Sequence, residues 1–224
     1  MLAALAASVA LAVSPARTVV RAPASRTVLL SNLSNEPLAV DVAWKSVGRR
    51  SDPRGWLRVG PRHLALASGA RARLTVRAGP GASPGDHNLV VLVTGRPVQR
   101  SRIAVQLRVG VRVRIRAPGR LVHRIVLSGL RAHRSKRKRS LLVSLANRGN
   151  VTEELRGRLS VTLAARGRVF SRLRFARPRD LYPGARATIV LPYTGRVRGV
   201  VTATVRVRVG AHVPPLERRY HLLL

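Results

Sequence analysis

The sequence predicts an all-β protein of two tandem sandwich domains, and three observations carry the prediction. After Arg17 the chain runs as short β-branched stretches with period-two alternation, broken by Gly, Pro, Asn and Ser, and helical periodicity is nowhere sustained. LASGARA at 66–72 recurs as LYPGARA at 181–187, and SNLSN, with Asn32 and Asn35, recurs as ANRGN, with Asn147 and Asn150, at the same offset of 115 residues. A shared period is harder to reach by chance than a shared tetrapeptide, so the chain reads as two copies of one unit. Finally, 224 residues accommodate two domains of about 100 residues each, near the usual size of an immunoglobulin-like sandwich.

The elements follow in chain order. Met1 to Val13 is almost wholly Ala, Leu and Val, and residues 1–16 read as a signal peptide, with cleavage after Ala12 or Ala16. No Lys or Arg precedes Arg17, so the basic start of such a peptide is missing, and an apolar first strand or helix of the fold is the competing reading. The first domain, 17–110, carries strands at 17–22, 26–32, 38–45, 56–59, 63–67, 70–78, 87–95 and 100–110. Asn35-Glu36-Pro37, Ser51-Asp52-Pro53, Ser68-Gly69 and Ser83-Pro84-Gly85-Asp86 supply the turns between them. RVGVRVRIR, from Arg108 to Arg116, ends this domain and leads into the next, with Gly110 and Pro118-Gly119 as hinge positions. The second domain, 111–224, carries strands at 111–116, 121–128, 140–147, 154–165, 168–176, 186–192 and 198–210. A tail from Ala211 to Leu224 either adds a closing strand or stays loose. Each GARA segment should open a strand just after a turn, with Gly69 matching Gly184.

Alternation also fixes sidedness. Val111, Val113 and Ile115 point one way while Arg112, Arg114 and Arg116 point the other, and Val205, Val207 and Val209 stand in the same relation to Arg206 and Arg208. The result is a buried valine face backed by a row of guanidinium groups. Unrelieved, such a row repels itself by a few tenths of a kcal/mol per cross-strand pair, so an anionic ligand or counterions should sit on it. The competing reading is a solvated face that keeps edge strands from aggregating.

Charge is the second unusual property: 43 basic residues stand against 8 acidic ones, for a formal net charge of +35. Lysine appears only at positions 45, 136 and 138. A GC-rich genome accounts for an arginine bias but not for so few Asp and Glu, which leaves a preference for polyanions as the functional reading. RAHRSKRKR, a predicted loop, gathers Arg131, Arg134, Lys136, Arg137, Lys138 and Arg139. It carries no aromatic for base stacking, and no recognition helix is evident, so contact with anionic wall polymer or lipid head groups fits it better than sequence-specific DNA binding. A plain solvated loop explains it equally well.

Catalytic parts are scarce. With no cysteine there is no disulfide, thiol nucleophile or Cys-ligated zinc. The acids are scattered apart from Glu153 and Glu154, the six histidines show no ligand spacing, and neither GxSxG nor HExxH occurs. Asp86-His87, in PGDH, reads as a turn entering a strand. No catalytic residue, cofactor or metal site is expected, and no run reaches the roughly 18 apolar residues of a membrane span. Asn32-Leu33-Ser34 and Asn150-Val151-Thr152 are sequons, more simply explained as turn asparagines. Trp44 and Trp56 default to core roles, although an exposed Trp56 beside Arg54 and Arg58 would make a sugar-stacking surface.

LSNLSNEPLAVDV, WLRV, PRHLALASGARARLTV and PGDHNLVVLV, between Ser25 and Thr94, together resemble the peptidoglycan-binding domain of WxL-interacting proteins and, more distantly, the immunoglobulin-like domain of periplasmic pilus chaperones. The shared elements are an Asn turn with a following Pro, a strand pair, an L-x-L-x-x-G turn before a β-branched strand and a Pro-Gly turn before the last strands. The resemblance implies a secreted surface protein with a wall-binding sandwich, a second sandwich that engages a partner protein, and no catalytic residues. The membrane anchor of that family has no counterpart before the closing His221-Leu222-Leu223-Leu224.

The expectation is an exported, non-enzymatic module of the cell envelope, attached to peptidoglycan or another anionic wall polymer and engaging a surface protein. Its polyanion contacts would be Arg112, Arg114, Arg116, Arg206, Arg208 and the 131–139 loop. An extracytoplasmic chaperone acting by β-strand addition is the alternative. A cytoplasmic nucleic-acid binder is the third class, and charge alone supports it.

Overall fold

The alternating stretches are strands in the computed structural model, which describes residues 10–48, 53–98, 105–135, 138–210 and 213–224 and contains no helix among them. The chain divides into two units, Met1–Arg120 and Leu121–Leu224.

In the first unit β1 (Leu11–Ser14), β3 (Ala24–Asn32), β7 (Arg71–Ala78) and β5 (Leu57–Gly60) form one sheet in the order β1-β3-β7-β5. The second sheet has the order β2-β9-β8-β4-β6, from β2 (Arg17–Arg21), β9 (Leu107–Ala117), β8 (Gly85–Pro97), β4 (Leu38–Val47) and β6 (His63–Leu66). Their inner faces meet in a core of Val28, Leu30, Leu74 and Val76 against Val40, Val91, Val93 and Ile115. Burial of each such side chain is worth about 1.5–3 kcal/mol, which is how a chain so poor in aromatics holds a sandwich together.

The second unit repeats the plan. β10 (Ile125–Ser135), β11 (Lys138–Asn147) and β16 (Arg186–Tyr193) make a three-stranded sheet. β14 (Arg168–Arg174), β13 (Leu159–Ala165), β17 (Val200–Val207) and β18 (Leu216–Leu223) make a four-stranded one, and β12 (Glu153–Glu154) pairs with β15 (Asp180–Leu181). Leu141, Val143 and Leu145 pack against Leu159, Val161, Leu163, Val205 and Val207.

The 115-residue echo corresponds to a repeated hydrogen-bond device. Buried Asn32 donates from Nδ2 to the carbonyls of Glu36 (2.8 Å), Leu66 (3.1 Å) and Ala67 (2.9 Å), while its Oδ1 accepts from the Ser34 amide (3.0 Å). Buried Asn147 donates to Val151 (2.7 Å) and Leu181 (2.9 Å), and its Oδ1 accepts from the Gly149 amide (2.9 Å). The Asn32 amide bonds Ala70 O, and the Asn147 amide bonds Ala185 O, each at 2.9 Å. Gly69 at φ 70° and Gly184 at φ 75° turn the chain just before β7 and β16, as the GARA register requires.

Several sequence-based boundaries shift. Residues 111–116 belong to the first unit, because Val111, Val113 and Ile115 continue the core-facing alternation of one strand, β9, past Gly110. That strand pairs with β8 along its whole length and, in parallel, with β2 over Arg112 to Arg116. Leu11–Ser14, inside the expected signal peptide, is β1 in register with β3, so a cut after Ala16 removes a paired strand; residues 1–9 lie outside the described residues. The predicted basic loop is a hairpin instead, since β10 and β11 remain paired to Ser135 opposite Lys138. Residues 121–124 carry no strand: Val122 N donates to Asn150 Oδ1 at 2.7 Å and Arg124 O accepts from Arg148 N at 2.7 Å, which holds this entry segment on the Asn turn. The tail from Ala211 supplies the closing strand β18.

Candidate functional site

The first candidate is an edge. β9 is flanked on both sides from Arg112 to Arg116, but from Leu107 to Val111 only β8 pairs with it among the described residues. The side from which a partner can approach follows from hydrogen-bond parity. Arg112 N donates to Ala16 O and Arg116 O accepts from Ala22 N, both at 2.9 Å, so even-numbered residues of β9 turn their backbone groups toward β2. Along the first half of the strand the same parity aims the N–H and C=O of Arg108 and Gly110 at the unpaired edge. Val105 is exposed and Leu107 and Val109 half-buried, so this segment offers alternating apolar side chains together with unpaired backbone.

The arginine row on the same strand is less free than its sequence suggests. Val111, Val113 and Ile115 are fully buried, with Arg112 exposed and Arg114 and Arg116 half-exposed on the other face. Arg116, however, grips Asp86 in a two-pronged pair, Nε to Oδ1 at 2.7 Å and Nη2 to Oδ2 at 3.0 Å, and the Asp86 carboxylate is fully buried. Gly85, at φ 114°, makes the turn that delivers Asp86 to that position. Repulsion along the row is therefore partly relieved from within, by a residue of the neighbouring strand, and Arg116 is not a free polyanion contact.

On the outer face of the second unit, Arg206 and Arg208 do come together with other cations. Ser160 on β13 stands in register between Arg174 of β14 and Arg206 of β17, and Thr162 between Arg172 and Thr204. These residues, with Gly157, Arg158, Leu173, Arg208 and Glu217, line a cleft of about 660 Å³. Arg174 Nε donates to Gly157 O at 3.2 Å and Arg158 approaches Glu153 at 4.0 Å. Arg158, Arg172 and Arg174 were not singled out from sequence, although RGR and RLR show the same two-residue arginine spacing as RVR at 206–208.

The remaining candidates are dispersed. Arg131 and Arg134 lie exposed on β10, Arg134 directly opposite Arg139, whose Nη1 donates to Val197 O at 3.3 Å. Lys136 and Arg137 are outside the described residues, as is the side chain of Lys138. Trp56 is half-buried against the first core, its ring edge-on to His87 at 4.7 Å. On the outer face of β4, His63 Nδ1 contacts Asp41 Oδ1 at 2.7 Å and Arg96 pairs with the other oxygen. The hydrogen bond from His63, with the Arg96 charge beside it, holds the Asp41 carboxyl below the usual carboxylate range.

The topology defines an all-β protein of two immunoglobulin-like sandwiches in tandem. That arrangement is similar, over nearly the whole chain, to solved pilus and fimbrial chaperones. The class 5 fimbriae chaperone CfaA matches with a TM-score of 0.55 at 14% identity, covering 94% of this chain and 98% of that one. A chain of the chaperone–tip adhesin complex of CFA/I fimbriae biogenesis matches with a TM-score of 0.54 at 15% identity, covering 96% and 98%. The CsuC–CsuE chaperone–tip adhesion subunit pre-assembly complex of Acinetobacter baumannii contributes a third, with a TM-score of 0.53 at 10% identity, covering 95% and 98%. Identities this low speak for the fold alone. No protein-family model matches the sequence, and no curated protein does. Of the two resemblances drawn from sequence, the more distant one, to pilus chaperones, is thus the one met in the fold.

Proposed function

We propose that the protein is an extracytoplasmic, non-enzymatic assembly chaperone that lends the unpaired edge of β9 to a client subunit by β-strand addition. The observation that carries the reading is the half-paired state of β9: backbone donors and acceptors of Arg108 and Gly110 face an edge that no strand covers among the described residues, beside Val105, Leu107 and Val109. The similar CfaA structure is a chaperone, and the CFA/I and Csu structures are complexes of a chaperone with a tip adhesin or tip subunit, which supports the same reading by analogy of fold. Arg108→Pro tests it, because proline removes an N–H on the open edge and leaves the β8 ladder intact. Co-purification of a secreted strand-deficient subunit should fall at least tenfold while the melting temperature stays within a few degrees. Undiminished capture by Arg108→Pro would sink the proposal.

Attachment to peptidoglycan or another anionic wall polymer is a second reading, favoured by the guanidinium cleft around Arg206 and Arg208 rather than by the row on β9. Binding to purified wall polymer over a salt series tests it, and absence of binding at low salt rejects it.

A further inference from the structure

The outer face of the β14-β13-β17-β18 sheet is organised in cross-strand rows. One row reads Arg174, Ser160, Arg206, Glu217, and the next reads Arg172, Thr162, Thr204, Arg219. Each row places guanidinium groups around a hydroxyl, and successive rows are separated by a two-residue rise of about 7 Å. The guanidinium groups of Arg172, Arg206 and Arg208 have no hydrogen-bond or ion-pair partner among the described residues. Glu217 is the single acid among the described residues lining the cleft.

A guanidinium group donates in a planar fork that fits an oxyanion, and a serine or threonine hydroxyl supplies a further donor to a tetrahedral one. Two such sets one row apart suit two phosphate groups of a single chain. Among the described residues the lining contains no aromatic ring on which a nucleobase could stack. The cleft is also concave, whereas a bilayer presents its head groups on a flat surface.

We infer that this cleft binds a linear phosphodiester chain without bases, of the polyol-phosphate kind, with one phosphate between Arg174, Ser160 and Arg206 and the next between Arg172, Thr162 and Thr204. The inference rests on the wall-polymer reading only for the negative sign of the ligand; what it adds is a location and a chemistry.

Poly(glycerol phosphate) titrated into the full chain tests it, beside an oligothymidylate of equal phosphate number and vesicles of phosphatidylglycerol. The double variant Arg174→Ser/Arg206→Ser should weaken polymer binding at least tenfold and lower the slope of log affinity against log salt by about two units. Arg73→Ser/Arg77→Ser, which removes equal charge from exposed positions of β7, should change affinity less than twofold. Glu217→Gln should tighten binding, a gain that misfolding cannot imitate. Equal losses in the two double variants overturn the cleft while leaving charge-based attachment standing. Tighter binding of the oligothymidylate or the vesicles overturns the ligand chemistry, and no binding of the polymer at low salt overturns both this inference and the reading beneath it.

Discussion

Asn147 donates its side-chain amide to the carbonyl of Leu181 at 2.9 Å and so ties the end of β11 to the segment that turns into β16. In the first unit Asn32 does the same to Leu66. Both side chains are wholly buried, and so are Leu66 and Leu181, so these two carbonyls have no water to turn to. Asn32→Ala and Asn147→Ala should each cost about 3 kcal/mol, read from urea midpoints. Asp at either position should cost more, because a carboxylate would face carbonyl oxygens.

At Gly69 a Cβ would meet nothing within 4 Å, yet φ is +70°. The cost of Gly69→Ala is therefore conformational, about 1–2 kcal/mol, and Gly69→Asn should recover much of it because Asn tolerates the left-handed region. Thermal melts of the two variants check the order.

Arg116→Met leaves the buried Asp86 carboxylate without its two-pronged partner. Such a loss costs about 3 kcal/mol, and unfolding should register it even though a methionine covers the same apolar surface. A shift below about 0.5 kcal/mol would mean that the pair is no more than a surface contact.

Asp41 titrates below its ordinary value because the folded state favours its charge. The stabilisation is present above the unfolded-state pKa of about 3.9 and is lost as the pH falls through the lower folded value. The difference in melting temperature between wild type and Asp41→Asn should be full at pH 6 and shrink in that acid window. It should also shrink with added salt, since the cluster is exposed.

The architecture was legible because it depends on local rules. Period-two alternation located most strands, and the paired asparagines and GARA segments sat at one period because each pair builds the same latch. Two kinds of error remained. The sequence reads Gly110 as a hinge, but an extended strand accommodates glycine, and only pairing with β8 shows that β9 continues through it. The 131–139 run reads as a loop because its charge density hides a hairpin whose alternation is weak. The candidate sites depend on neighbours far apart in sequence, so Asp86 beside Arg116, or Arg174 and Arg206 flanking Ser160, could not be read from spacing. That the first half of β9 pairs only with β8 among the described residues is likewise a fact of sheet order, invisible until β2 is seen to begin at Arg17, opposite Arg112.

The burial of Asn32 also sets a clock on any attempt to produce this protein in a eukaryotic secretory host. Asn32-Leu33-Ser34 is an acceptor sequence only while the chain is open, and closure of the latch withdraws the very nitrogen that an oligosaccharide would occupy. Folding and glycan transfer thus compete for one atom. Chains modified first would be barred from the native first sandwich.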